Sequence, residues 1–169
     1  MKAALLSPPR SIDELMARAW LLEQEATQRY TEFAEVMETH NNREVADLFR
    51  SLAAQEAAHA DHIHKRMGWA RPPDAAATVA APEAPPLEEA HYLMQPWHAL
   101  TIALQAEQQA HDFFAWLAQS CDDPELRRAA TDLQAEEKEH IALLQSWLRR
   151  VPEPAPDWDQ DPDPPRYTD

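Results

Sequence analysis

Leu52-Ala53-Ala54-Gln55-Glu56-Ala57-Ala58-His59 is the stretch that decides the fold. Its frame returns as Leu133-Gln134-Ala135-Glu136-Glu137-Lys138-Glu139-His140. Aligning Leu52 with Leu133 sets Glu56 on Glu137 and His59 on His140. On a helix, residues three apart share a face, so each Glu-x-x-His points its two side chains the same way. Around both copies the apolar residues recur at alternating steps of three and four. One stripe reads Val45, Phe49, Leu52, Glu56, His59, Ile63; the other reads Leu126, Ala130, Leu133, Glu137, His140, Leu144, Trp147. Glu and His therefore occupy places where core hydrophobes belong. Unpaired carboxylates are costly to bury, so cations are expected among them.

Two more stripes complete a set of four. Met16, Ala19, Glu23, Ala26, Tyr30, Phe33 and Met37 mark helix 1, and Leu100, Ala103, Glu107, Ala110, Phe114, Leu117 and Cys121 mark helix 3. Each carries one carboxylate, Glu23 or Glu107, on an otherwise apolar face. The chain is thus an internal repeat: Glu23, Ala26 and Tyr30 correspond to Glu107, Ala110 and Phe114.

Punctuation divides the chain into a lead over residues 1–10, a bundle over 11–150 and a tail over 151–169. Ser11 with Glu14 reads as a capping box opening helix 1. His40-Asn41-Asn42 reads as a tight connection in which Asn41 or Asn42 caps helix 2. Gly68 stops helix 2 after Met67. Residues 70–87 are rich in Ala and Pro without a period and read as a long crossover, with a short helical turn from Glu88 to Met94. Pro96 begins helix 3; Asp123-Pro124-Glu125 caps and begins helix 4, which ends near Arg150. The acidic, Pro-rich segment 151–169 reads as a disordered tail, with Trp158 and Tyr167 as anchors if it docks on a partner. Short, long and short connections give an all-α antiparallel four-helix bundle with a long crossover between helices 2 and 3.

Composition agrees. One Gly and 15 Pro suit long helices joined by Pro-rich links. A formal charge of −15 disfavours nucleic acid and anionic membranes as partners. A single Cys excludes an internal disulfide and an all-Cys cluster. No apolar run approaches a membrane span, and the first residues are too short an apolar run for a signal peptide, so a cytoplasmic location is expected.

Counting from the connections, the six polar groups fall at one level. Glu23 lies about 18 residues before the first turn, with Glu56 and His59 about 15 and 18 after it, at about 1.5 Å per residue. Glu107, Glu137 and His140 repeat this around the second turn. Four carboxylates and two imidazoles would converge, and two divalent ions would neutralise them. Oxygen-rich ligation with some imidazole suits iron or manganese better than a closed structural zinc. The plainer reading is a bundle that uses Glu–His hydrogen bonds as buried polar contacts. Glu136 and Glu139 are expected at the surface, His111 just off the stripe, and Cys121 as a buried, inert thiol. His40, His62, His64, His91 and His98 are expected as surface or capping residues.

This pattern resembles the ferritin-like di-metal carboxylate proteins, whose ligand set pairs a Glu on each of two helices with Glu-x-x-His on the other two. It is most similar to the rubrerythrin branch, through Glu23 followed seven residues later by Tyr30, Leu-Ala-x-x-Glu-x-x-His in helix 2 and Glu-Glu-Lys-Glu-His in helix 4. The resemblance implies that Glu56 and Glu137 bridge two irons, that Glu23 with His59 holds one and that Glu107 with His140 holds the other. Manganese, or a mixed pair, is the alternative. Tyr30 matches a tyrosine that hydrogen-bonds near the site. Rubrerythrins proper carry a further Glu where this chain has Ala110, and a Cys-rich rubredoxin module that this sequence does not contain. Electrons are therefore expected from an external donor. The implied activity is that of a non-haem di-iron oxidoreductase reducing peroxide or dioxygen. Ferrous-iron oxidation for storage, di-manganese catalase activity, and a metal-stabilised binding module without catalysis are the alternatives. A homodimer is the expectation for this class.

Overall fold

The computed structural model describes residues 8–74, 94–158 and 160. The described residues form four helices and no strand: α1 (Ile12–Thr39), α2 (Arg43–Met67), α3 (Pro96–Ser120) and α4 (Pro124–Leu148). The expected crossover and the turn from Glu88 lie largely outside the described residues; Met94, at the edge of that gap, is fully buried.

The helix ends show why the elements start and stop where they do. Ser11 Oγ accepts the Glu14 N–H at 3.1 Å, and Glu14 in return accepts the Arg10 N–H at 3.0 Å, one residue earlier than in the standard box. The α1–α2 connection is tight as expected, and it uses the two asparagines differently. Asn41 adopts the left-handed region at φ 59°, and the Asn41 and Asn42 N–H groups bond back to Glu38 and Met37 carbonyls. This is a Schellman closure of α1, which Asn tolerates better than most residues. Asn42 occupies the first cap position of α2, but its side chain makes no capping bond. Gly68 closes α2 in the left-handed region at φ 63°. Gln95 and His98 make a reciprocal capping box at α3, and the Asp123 carboxylate accepts two N–H groups at α4. Helix α4 ends at Leu148, slightly short of Arg150, whose guanidinium stacks on the Trp147 ring 4.3 Å from its centre.

α1 packs along α2 and α3 along α4. The first pair is antiparallel: Asp13, at the start of α1, accepts from the Trp69 indole just past the end of α2, while Arg50 near the start of α2 pairs with Glu38 at the end of α1. Two apolar clusters fill the bundle. One gathers Tyr30, Phe33, Met37, Phe49, Leu52, Leu100 and Leu144. The other gathers Leu15, Met16, Ile63, Phe113, Phe114, Leu117 and Leu133. Burying each of these large side chains is worth about 1.5–3 kcal/mol against leaving it exposed. Their combined burial holds an acidic layer between them. Of the segment expected as a tail, Val151 and Trp158 pack against the first cluster, with the Trp158 ring 3.8 Å from that of His98. No described helix is long and apolar enough to cross a membrane.

Candidate metal centre

The chain's register brings Glu23, Glu56, Glu107, Glu137 and His140 into the bundle interior, all buried. His59 joins them with its side chain 29% exposed, because it sits on the α2 edge of the layer. Ligand-type atoms gather in two groups, Glu23–His59–Glu136 and Glu56–Glu107–His140, each within 4.8 Å. The two imidazoles lie nearly parallel with ring centres 5.8 Å apart. Glu56 stands between them: Oε1 is 2.8 Å from His140 Nδ1, and Oε2 is 3.6 Å from His59 Nδ1. Glu23 Oε2 lies 3.7 Å from His59 Nδ1, and Glu107 Oε1 lies 3.8 Å from His140 Nδ1. Glu137 belongs to neither group of ligand atoms; it lines a cavity with Glu23, Glu56 and Glu107.

The repeat also explains two residues that the stripes do not show. Gln55 and Glu136 hold equivalent places, each one residue before a core Glu. Each reaches the histidine of the opposite copy: Gln55 Oε1 accepts from His140 Nε2 at 3.2 Å, and Glu136 Oε2 lies 3.7 Å from His59 Nδ1. Glu136 is thus drawn into the layer rather than left wholly at the surface. The bond to Gln55 holds a His140 proton on Nε2 and turns Nδ1 toward the carboxylates, as outer partners of metal-ligating histidines do. Glu→x steps of one residue point about a quarter-turn off the seam, so a periodicity reading assigns them to solvent. His111 turns away, to Gln134 and Asp112.

Symmetry breaks at Tyr30. Its hydroxyl, fully buried, donates a very short bond to Glu107 Oε1 across from α1 to α3. The matching Phe114 can offer Glu23 nothing. Burial, with the Glu107 charge, pushes the Tyr30 phenol well above its ordinary range, so it remains a donor.

Proton affinities show how crowded the layer is. Burial raises Glu23 well above the usual carboxylate range, and Glu56 beside it adds to the effect. Burial and the neighbouring Glu107 do the same to Glu137. For Glu56, burial opposes ionisation, but Glu23, His140 and His59 around it prevail and hold it well below the usual range. The Glu23 and Glu56 carboxylates raise His59 to about 10. Burial works against charge on His140, yet Glu107 and Glu56 lift it to about 10 as well. Protons are thus retained where positive charge is needed.

The donor set fits divalent ions. His59 Nδ1, His140 Nδ1 and Glu56 Oε1 are buried without a hydrogen bond of normal geometry; without metal they face one another as ion pairs, and a divalent ion would take the place of the imidazole protons. Four buried carboxylates would balance two divalent ions, and the mixture of oxygen and imidazole nitrogen is that of iron or manganese sites.

A family model for rubrerythrin matches residues 14–148. The chain belongs to the rubrerythrin family. A crystal structure of an uncharacterised conserved protein from Magnetospirillum magnetotacticum shares 35% identity at a TM-score of 0.74, covering 86% of this chain and 98% of that one. The Rhodobacter capsulatus bacterioferritin structure, described with a metal-free dinuclear site and a haem iron, shares 19% identity at a TM-score of 0.49, covering 81% and 82%. No curated protein matches the sequence. Within this rubrerythrin-family chain, Gln55→Ala is expected to weaken metal binding about tenfold or more, as loss of such an outer partner does. Anaerobic cobalt titration followed by visible absorption checks it.

Proposed function

We propose that this chain is a non-haem di-iron oxidoreductase that reduces peroxide, or dioxygen, with electrons from an external donor. The observation that carries the reading is the pair of buried imidazole Nδ1 atoms, without hydrogen bonds of normal geometry, facing a layer of buried carboxylates. Family membership supports it, since two metal ions, typically iron, are the usual holding of this family. Glu23 and His59 would hold one ion, Glu107 and His140 the other, and Glu56 and Glu137 would lie between them. Bound iron would supply electrons and Lewis acidity.

The chain's own residues set the conditions. The two apolar clusters exclude water on either side of the layer. Tyr30 keeps its proton at the hydroxyl and donates it in a bond to Glu107, leaving the Glu107 carboxylate with a fixed orientation. Gln55 fixes the His140 ring by accepting its Nε2–H. Burial raises the proton affinity of Glu23 and Glu137 without metal, and loading would favour their ionised forms.

Protein loaded anaerobically with ferrous iron is expected to hold about two ions per chain and to consume hydrogen peroxide when a reductant is supplied. Metal-free protein should consume none. Ferrous oxidation without peroxide turnover would favour iron handling, and peroxide dismutation by the manganese form without reductant would favour catalase. A change in melting temperature alone would leave a binding module and overturn the enzymatic reading.

A further inference from the structure

The two groups of ligand-type atoms are not alike. Glu56, Glu107 and His140 are all buried, whereas the Glu23–His59–Glu136 group opens to solvent between α2 and α4. There the His59 side chain is 29% exposed and that of Glu136 42%. The internal repeat shows what is unusual at this edge. Gln55 and Glu136 hold matching places, yet they meet different nitrogens of the imidazole each one reaches. Gln55 accepts from His140 Nε2, the nitrogen turned away from the carboxylates. Glu136 lies 3.7 Å from His59 Nδ1, the nitrogen that faces them. A neutral amide braces one histidine from behind, and a carboxylate stands in front of the other.

Three carboxylate oxygens stand at nearly one distance from His59 Nδ1: Glu56 at 3.6 Å, Glu23 at 3.7 Å and Glu136 at 3.7 Å. These gaps are too long for hydrogen bonds. A single N–H could in any case point at only one of the three, whereas an ion can be shared by all. Two donors bound to one ion at about 2.0–2.2 Å, with angles of about 90–120° between them, lie about 2.8–3.8 Å apart. The observed spacing is that of donors around a common ion. His59 Nδ1 is buried at their centre without a hydrogen bond of normal geometry. Glu137 does not enter this group; it lines the cavity on the α1–α3 side of the layer.

We infer that Glu136 is a direct ligand of the divalent ion at the His59 position, and that this position is the exchangeable one of the two. The inference rests on the di-metal reading above and deepens it. Glu23 from α1, with Glu56 and His59 from α2, supplies donors from within the bundle, and Glu136 closes the set from α4 on the solvent side. An ion enters or leaves there by displacing one half-exposed carboxylate. The ion at Glu56, Glu107 and His140 has only buried side chains around it and is retained longer.

Cobalt(II) is the probe, added anaerobically to the full chain. Metal content is measured first; fewer than two ions per chain in the wild type would overturn the di-metal reading, and this assignment with it. Release to an excess of chelator is then followed by visible absorption, and wild-type protein should give up its two ions in two phases. Glu136→Gln makes the two copies of the repeat alike and keeps an acceptor oxygen, so a residue that only hydrogen-bonds His59 would survive it. With Glu136 as a ligand, the variant should keep its helix content and bind the faster-released ion about tenfold or more weakly, since even loss of an outer partner costs that much. The slower ion should be unchanged. Glu136→Asp should recover part of the loss, and Glu139→Gln, which removes an exposed charge from the same helix, should alter neither ion. Anomalous diffraction from Glu136→Gln crystals should show a depleted peak beside His59 and a full one beside His140. Single-phase release from the wild type, unchanged binding of both ions in Glu136→Gln, equal weakening of both, or an equal effect of Glu139→Gln would overturn the assignment.

Discussion

Replacing Glu56 with alanine is expected to abolish two-metal binding, with affinity falling roughly a hundredfold or more. Among the described residues, Glu56 is the one carboxylate close to both imidazoles, one oxygen toward His140 and the other toward His59. Its surroundings favour its ionised form, whereas burial works against ionisation of Glu23 beside it. Its removal takes away the group through which the two halves of the centre address each other. Glu56→Gln is the control for folding, because it keeps the volume and removes the charge. Both variants should retain the helical circular dichroism of the parent, and metal analysis after anaerobic loading should give well under two ions per chain. A Glu56→Ala protein that still holds two would contradict the account.

The second large effect is the dependence of stability on pH and its reversal by metal. Without metal, His59 and His140 hold protons up to about 10 in the folded chain, against about 6.5 when unfolded. Their stabilising contribution is full below about 6.5 and is lost as pH rises toward 10. Glu23 and Glu137, raised above the usual carboxylate range, act in the same sense, since the unfolded chain gives up these protons first. Glu56, held low, acts only on the acid side, where stability is lost below the usual carboxylate range. Chelator-treated protein should therefore lose stability between pH 6 and 9, with a fall in Tm of several degrees. Ions bind the deprotonated ligands, so loading should stabilise more at pH 8 than at pH 6. At a thousandfold excess over Kd the gain is about 4 kcal/mol, or roughly 8–16 °C in Tm for a chain of this size. Differential scanning calorimetry at both pH values, with and without metal, checks it. A metal effect equal at the two would count against proton–metal exchange at this layer.

The fold was legible because its signals are local and repeated. Four stripes of period 3.6, Ser11, Gly68, Pro96 and Asp123-Pro124 mark the helices within a residue or two. The interior acids were legible because each interrupts an apolar stripe, and a doubled interruption is hard to obtain by chance. What escaped lies off those stripes. Gln55 and Glu136 meet the opposite histidine only because two antiparallel pairs close on each other, and helical period alone does not show which off-seam residues face inward there. Arg29, one residue before Tyr30, lies off the apolar stripe of α1, and helical period does not show its burial. Of the two candidate caps for α2, Asn42 takes that position, while the backbone geometry uses Asn41 to finish α1. The very short bond from Tyr30 to Glu107 joins residues far apart in the chain, and periodicity could place Tyr30 in the core without naming its partner.

The most direct measurement is anomalous diffraction from crystals of the chain grown with iron or manganese. The account predicts two peaks per chain, about 3.5–4 Å apart as in two-metal sites, within the layer of Glu23, Glu56, His59, Glu107, Glu137 and His140. Side chains bonded only to one another or turned to solvent, with no peak among them, would contradict it.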